Sequence, residues 1–126
     1  MTKYIVNSEQ VKVGKITGRE IRDLINEKTV QTKAISLRIT DVFPKQTTYP
    51  GHVHTECEEI IFVMRGHGEI KIADEVFPMR PGDAIYLPQG VKHLMRNTGE
   101  ETMRLICTFT SSDMSRDLRS EKSMDF

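Results

Sequence analysis

The 126-residue sequence contains no tryptophan and only two cysteines, and aromatic residues make up 6% of it. Two cysteines that form no Cys-x-x-Cys motif argue against a disulfide scaffold and fit a reducing compartment. No apolar run approaches the roughly 20 residues that a membrane-spanning helix needs. The first fifteen residues also lack the apolar segment of a secretion signal. We therefore expect a cytoplasmic protein that does not contact a membrane.

An excess of charge of one sign is also missing. The chain has 18 basic and 18 acidic residues, so its formal net charge is zero, and no block of one sign stands out. Nucleic acid and anionic membrane surfaces are therefore not expected as partners. The length is that of one domain, and it suffices to bury a core without disulfides or a structural metal.

Short strands dominate the sequence from residue 35 onward. In ISLRITDVF, Ile35, Leu37, Ile39 and Phe43 share one face, which is the period-two pattern of a half-buried strand. Further strands are predicted in IIFVM, EIKIA, EVFPM, DAIYL, KHLMRN and MRLICTF. Gly- and Pro-containing turns separate them at intervals of about 8 to 12 residues, a spacing typical of a β-sandwich or barrel.

The two ends of the chain are expected to differ from this core, which covers residues 35–110. Residues 1–34 form an N-terminal extension that contributes one or two strands, and GREIRDLINEK (18–28) is interpreted as a strand rather than a helix. Residues 111–126 are polar and predict a frayed tail or a short helix capped by a serine.

The stretch HVHTECEE (52–59) concentrates metal-ligand side chains just before an apolar strand. His52 and His54 are two positions apart, so they point the same way on an extended segment and could begin a metal site. Glu58 shares their parity, whereas Glu59 reaches the same centre only if the chain bends within TECE. Parity alone leaves both glutamates as candidates.

Two longer spacings extend this pattern. HVHTECEEIIFVMRG reads H-x-H-x4-E-x6-G if the glutamate is Glu59, and GDAIYLPQGVKHLMRN reads G-x5-P-x-G-x2-H-x3-N from Gly82 to Asn97. These segments resemble the two motifs of the cupin superfamily, and the chain is similar to its small single-domain members over roughly residues 35–110. One position departs from the family pattern, because Gln46 replaces the glycine that usually opens the first motif.

The resemblance implies an all-β fold, a double-stranded β-helix (jelly-roll) barrel. It also implies that His52, His54, Glu59 and His93 converge on one divalent transition metal, with Glu59 preferred over Glu58 by the motif spacing. Three imidazoles and one carboxylate suit Mn, Fe, Ni, Co, Cu and Zn alike, and they would leave two positions of an octahedral shell open.

For function, the resemblance implies a metalloenzyme that acts on a small oxygenated metabolite, such as a carboxylate, a sugar acid or a diketone. Dioxygenation, decarboxylation, isomerisation and lyase chemistry all occur in cupins. The alternative is a metal-dependent module that binds or senses a small ligand without turnover. No catalytic residue is assigned, although Tyr86 is considered as a proton-transfer group. Small cupins commonly dimerise, and the second apolar face of IIFVM predicts a homodimer here.

Other side chains receive structural interpretations. Cys57 is read as a small, partly buried side chain and Cys107 as a core residue. An arginine that pointed inward could hold a substrate carboxylate. However, Arg38, Arg96 and Arg104 lie opposite the apolar parity of their strands, so they are expected on the outer, solvated face.

Overall fold

The computed structural model describes residues 3–126, which form two antiparallel β-sheets. The strands are β1 (Val13–Ile16), β2 (Arg19–Ile25), β3 (Ser36–Val42), β4 (Gly51–His54), β5 (Glu59–Arg65), β6 (Gly68–Ile72), β7 (Glu75–Met79), β8 (Ala84–Leu87), β9 (His93–Asn97), β10 (Met103–Phe109) and β11 (Leu118–Glu121). One short 3-10 turn, Ser8–Gln10, precedes them. Within the described residues, no helix is long and apolar enough to cross a membrane.

The strand order defines the architecture. One sheet has the order β1-β2-β3-β10-β5-β8, and the other has the order β11-β4-β9-β6-β7. From β3 to β11 the chain changes sheet at every connection except that between β6 and β7, which form a hairpin. The two sheets therefore wind into a jelly-roll barrel, and the predicted all-β fold is confirmed.

The core lies between the two sheets, and strand alternation builds it. On β10 the residues Met103, Leu105, Cys107 and Phe109 are buried, while the residues between them are half-buried. Full burial of a large aliphatic side chain contributes about 1.5–3 kcal/mol. The expectation that Cys107 is a core residue is confirmed.

The asparagine that ends the second sequence motif has a structural task. Asn97 is buried, and its Nδ2 donates to the carbonyl of Val42 at 2.9 Å and to that of Glu101 at 2.7 Å. Its Oδ1 accepts from the amide of Gly99. One amide side chain thus satisfies three backbone groups, one on β3 and two in the loop between β9 and β10, which only a side chain with both donors and an acceptor can do.

The ends of the chain extend both sheets. The strand predicted within residues 18–28 is confirmed, since β2 covers Arg19–Ile25 and pairs with β3. The prediction of a frayed tail or a short helix for residues 111–126 is wrong. There β11 pairs with β4, and Met114 and Met124 are buried. The two buried methionines flank this strand on either side.

The face assignment on β3 is also wrong. Its barrel-facing residues are Ser36, Arg38, Thr40 and Val42, because they pair with buried residues of β10, such as Cys107 opposite Arg38. The apolar set therefore covers the outer face, where Ile39 is buried, whereas Ile35 and Phe43 are exposed. The alternation correctly predicted a strand. Because both faces of β3 are covered, however, the polarity of its side chains did not identify the face that lines the barrel.

Candidate metal centre

Strand pairing brings the three motif histidines together. His52 and His54 lie on β4, and His93 begins β9 directly opposite His52. The ligand nitrogens of all three lie within 4.8 Å of one another. The ring centroids of His52 and His93 are 4.2 Å apart, and those of His52 and His54 are 5.5 Å apart. Two residues close in sequence and one distant residue thus form a single cluster.

The bend that Glu59 requires is present. β4 ends at His54 in one sheet and β5 begins at Glu59 in the other, so the chain crosses between sheets within TECE. The crossing resets the parity and turns Glu59 inward. Its Oε1 lies 3.5 Å from Nε2 of His93 and 3.8 Å from Nε2 of His54.

Glu58 faces the other way. Its side chain is exposed and accepts a hydrogen bond from the hydroxyl of Tyr86 at 2.5 Å. Tyr86 is itself exposed and stands on the outer face of the six-stranded sheet, opposite Ile60. The hypothesis that Tyr86 moves protons at the metal centre is therefore wrong, because the strand separates its hydroxyl from the barrel interior.

The cluster leaves buried polar atoms without protein partners. His54, Glu59 and His93 are at most 5% exposed. Among the residues described, Nδ1 of His54, Oε1 of Glu59 and both ring nitrogens of His93 have no hydrogen-bond partner. Buried polar groups in folded proteins are nearly always satisfied. A cation bound by Oε1 of Glu59 and Nε2 of His93, which lie 3.5 Å apart, would satisfy two of these atoms, so the residues present fit a metal ion.

Burial keeps the imidazoles neutral. The pKa of His52 falls to about 4, first because the ring is buried and then because His54 and Arg19 place positive charge nearby. Burial, and then the neighbouring rings of His52 and His54, hold the pKa of His93 well below its ordinary value. Burial also lowers the pKa of His54, although Asp117 opposes the shift. Neutral imidazoles retain the lone pair that metal binding requires.

Glu59 behaves in the opposite sense. Burial raises its pKa to about 8, and the favourable contributions of Cys107 and Arg38 are too small to reverse this. A carboxylate in such surroundings ionises readily only when a cation is close. The three neutral nitrogens can bind a cation, and a bound cation would allow Glu59 to ionise. The site is therefore better satisfied with a divalent ion than without one.

Arg38 faces this cluster rather than solvent. It pairs with Cys107 across the strands, and its charge acts on Glu59 and on His54. Asp23 holds the guanidinium through bonds of 2.6 Å to Nε and 3.2 Å to Nη2. The expected outward position of Arg38 is therefore wrong. Arg96 and Arg104 do face outward, where they pair with Glu69 and Asp41.

A cavity of about 210 Å³ lies on the far side of Phe109 from His54, and none of the four candidate ligands lines it. Arg38 and Phe109 line it, together with Ser36, whose buried Oγ has no hydrogen-bond partner among the described residues. The ring of Phe109 stands 5.2 Å from that of His54. The side chain of Phe109 would thus separate a small polar molecule in this cavity from the ring of His54.

Asp117 is the site residue that sequence reasoning missed. It is buried, and its Oδ1 lies 3.5 Å from Nδ1 of His54. Burial acts to raise its pKa, but the Glu56 amide, the Cys57 thiol and His54 outweigh this and lower the pKa below its ordinary value. Cys57 is buried, and burial next to Asp117 raises the pKa of its thiol to about 12. No motif marks Asp117, and the only signal was the pair of apolar methionines around it.

With this geometry in view, comparison with known proteins gives the family. A profile for the cupin domain (Cupin_2) matches residues 39–109, more than half of the chain. The chain therefore belongs to the cupin family, and its histidine cluster is one that could hold a metal ion.

Individual relatives are distant. The chain is 24% identical to the polyketide synthase CurC of Streptomyces cyaneus over 106 residues. This aligned region covers 84% of this chain and 68% of CurC. It is 36% identical over 78 residues to the L-ectoine synthase of Halomonas elongata, covering 60% of this chain and 53% of that protein. Among solved structures, a predicted oxalate decarboxylase of Thermotoga maritima superposes with a TM-score of 0.75 at 19% identity, covering 85% of this chain and 98% of that one. That likeness shows the shared fold.

Proposed function

We propose that this protein is a metalloenzyme that binds one divalent transition metal through His52, His54, His93 and Glu59. The observation that carries the proposal is that three imidazoles offer nitrogens within 4.8 Å of one another, beside a buried Oε1 of Glu59 that has no hydrogen-bond partner among the described residues. A divalent ion there would act as a Lewis acid toward a carbonyl or carboxylate oxygen. We propose a small oxygenated metabolite as the substrate.

Among such metabolites, the interior charges favour carboxylates and sugar acids over neutral diketones. Arg38 faces the cluster, and Arg19 lies close enough to lower the pKa of His52. Arg19 uses Nη1 to donate to the carbonyl of Thr17 at 2.9 Å. Guanidinium groups in a partly buried site attract carboxylates. Because Asp23 already accepts from Nε and Nη2 of Arg38, Arg19 is the better placed of the two to bind a substrate carboxylate. Dioxygenation, decarboxylation, isomerisation and lyase chemistry all fit this substrate class.

A second candidate function is metal-dependent binding or sensing of the same class of ligand without turnover. The position of Tyr86 favours it, since the tyrosine considered for proton transfer lies outside the barrel. Turnover separates the two candidates, because binding alone consumes no ligand.

The test begins with protein purified without added metal and analysed for bound ions. We expect about one transition-metal ion per chain in the wild type and a several-fold lower content in His54→Ala with the fold retained. Iron would direct the activity assays to oxygen uptake, and manganese, nickel or zinc to decarboxylation, isomerisation and lyase assays on a panel of small acids. Full metal content in His54→Ala would contradict the proposed site. Metal and ligand binding without turnover would support the binding module instead.

We also propose that the protein forms a homodimer through the outer face of the six-stranded sheet. Ile60, Phe62, Met64 and Tyr86 are each 43% to 56% exposed there. Ile60 and Tyr86 are paired neighbours on β5 and β8, so these side chains form one patch. These four side chains carry no charge, and the exposed carboxylate of Glu58 lies at their edge beside Tyr86, so a two-fold contact with a second copy would keep an apolar centre. A second copy of this chain is therefore the occupant that we propose.

We place this activity in the cytoplasm. Cys57 and Cys107 are both free thiols. A reducing compartment maintains thiols in that state.

A further inference from the structure

Asp117 makes several contacts with the segment that carries the metal-centre residues. Its Oδ2 accepts a hydrogen bond of 2.6 Å from the amide of Glu56. Its Oδ1 lies 3.5 Å from Nδ1 of His54 and accepts the thiol of Cys57 at 3.9 Å. Its main-chain carbonyl accepts both the amide and the hydroxyl of Thr55 at 3.2 Å. One aspartate thus contacts four consecutive residues: His54 at the end of β4 and the first three residues of the link to β5.

The neighbouring strand reinforces this contact. β11 pairs with β4 in a register that places Leu118 opposite His54 and Ser120 opposite His52. Asp117 directly precedes that strand, so its position is fixed by the same hydrogen-bond ladder that fixes the histidines. The family match ends at residue 109. The contact therefore comes from a part of the chain outside the matched domain.

Two explanations of the His54, Cys57 and Asp117 trio compete. Their ligand atoms all lie within 4.8 Å of one another, as a second ion site would require. However, Oδ2 of Asp117 is engaged by the Glu56 amide, and Cys57 gives its thiol proton to Oδ1. An ion there would also need Nδ1 of His54 while Nε2 serves the first centre. The contacts favour a hydrogen-bonding role over a second ion.

We infer that Asp117 is a positioning residue, which accepts the Nδ1–H of His54 and so directs the Nε2 lone pair of that ring into the metal centre. This rests on the proposed function, because the task of the ring is to bind a metal. A histidine that binds a metal through one ring nitrogen usually donates its other N–H to a carboxylate or carbonyl, and removal of that acceptor typically weakens metal binding 10- to 100-fold. The 3.5 Å separation is a few tenths of an ångström longer than a typical N–H···O hydrogen bond, so the proposed bond requires the two groups to move closer.

Asp117→Asn is the informative variant. Its amide oxygen can still accept from the Glu56 amide, and its NH₂ group then faces Nδ1 of His54. A donor at that position favours the tautomer that keeps its lone pair on Nδ1 and its proton on Nε2. The protonated Nε2 then has no lone pair with which to bind the metal. The substitution keeps the size of the side chain, so the fold is expected to survive. Asp113→Asn is a matched control on the same segment, since Asp113 bonds to Ser115 rather than to the centre.

The experiment has two measurements. In metal-free protein, long-range ¹H–¹⁵N correlation spectra report which nitrogen of His54 carries the proton. We expect Nδ1–H in the wild type, in Asp113→Asn and in Cys57→Ala, and Nε2–H in Asp117→Asn. In the second measurement, competition between the protein and a chromogenic chelator gives the Zn²⁺ dissociation constant. We expect it to rise about 10- to 100-fold in Asp117→Asn and to change less than twofold in Asp113→Asn.

The outcomes separate the two proposals. An Nε2–H tautomer in the wild type, or a tautomer and zinc affinity unchanged in Asp117→Asn, would overturn the role of Asp117. A purely structural role predicts a lower unfolding temperature with the tautomer unchanged, which would also overturn it. Wild-type protein that binds no Zn²⁺ while its His54 tautomer still depends on Asp117 would overturn the proposed function and leave the hydrogen bond established.

Discussion

Oε1 of Glu59 lies 3.5 Å from Nε2 of His93, although the two residues belong to different sheets. Among residues 3–126 neither atom has a hydrogen-bond partner. A buried polar atom without a partner costs about 1–3 kcal/mol. The jelly roll thus tolerates unpaired polar atoms at the point where its two sheets approach each other, and a cation bound there would add to the stability of the fold.

The two adjacent glutamates should differ in their effect on metal binding. Glu59→Gln removes the negative charge that lies beside two histidines, so we expect the Zn²⁺ dissociation constant to rise at least tenfold. Glu58→Gln changes only an exposed side chain bonded to Tyr86 and should change the constant less than twofold. Competition with a chelator measures both variants. The reverse order would move the carboxylate ligand by one position.

The stability of the metal-free protein should peak near pH 7. Folding lowers the pKa of each clustered histidine, to about 4 for His52. Below pH 6.5 these histidines are therefore protonated in the unfolded chain but neutral in the folded chain. Stability is therefore lost as pH falls below 6.5. The pKa of Glu59 is raised from 4.5 to about 8, so folding retains a proton that the unfolded chain releases, and stability is lost as pH rises toward 8.

Three histidines outweigh one glutamate below pH 6.5, and Glu59 outweighs them only above about pH 7, where most histidines of the unfolded chain have lost their protons. Each pKa unit corresponds to about 1.4 kcal/mol and the two effects partly cancel, so the free energy of unfolding should fall by less than about 1 kcal/mol between pH 7 and pH 8. Urea denaturation across this range, with a chelator present, measures the change. Glu59→Gln should abolish the decline above pH 7, and a decline that persists in that variant would assign it to another group.

Asp41 should be the most sensitive carboxylate on the outer face of the six-stranded sheet. It accepts two bonds of 2.8 Å from Arg104 and one of 2.9 Å from Arg22, and its side chain is 7% exposed. Asp41→Asn leaves two half-buried arginines without their counter-charge, which should cost about 2–3 kcal/mol. Asp23→Asn breaks a pair whose carboxylate is 41% exposed and should cost less than about 1 kcal/mol. Midpoints of urea denaturation compare them, and equal losses would contradict the role of burial.

The dimer proposal predicts different outcomes for two phenylalanines of equal exposure. Phe62 is 43% exposed within the apolar patch, and Phe77 is 42% exposed on β7 of the other sheet. Phe62→Glu places like charges across a two-fold contact and should give monomers, whereas Phe77→Glu should leave the dimer intact. Sedimentation velocity at several protein concentrations distinguishes these states. A wild-type protein that stays monomeric at high concentration would refute the dimer.

Much of the candidate site could be predicted from the sequence, because its signals are local. The spacing between His52 and Glu59, and the turn residues before His93, follow from how a strand ends and where the chain must bend. The inward position of Arg38 could not be predicted, since β3 is covered on both faces and its polar residues line the barrel. Asp117 could not be predicted either, because its contact with His54 depends on a pairing of β11 with β4 that no local pattern encodes.

The sequence by itself determined that the chain is all-β and that three histidines and a glutamate stand at motif positions, because strand periodicity and turn chemistry act over a few residues. Only the tertiary structure decided that Arg38 faces the cluster and that the C-terminal segment supplies Asp117, and it supplied the bend that turns Glu59, preferred by the motif spacing, inward. The physical reason is that each of these depends on which strand lies beside which, and on the crossing from one sheet to the other.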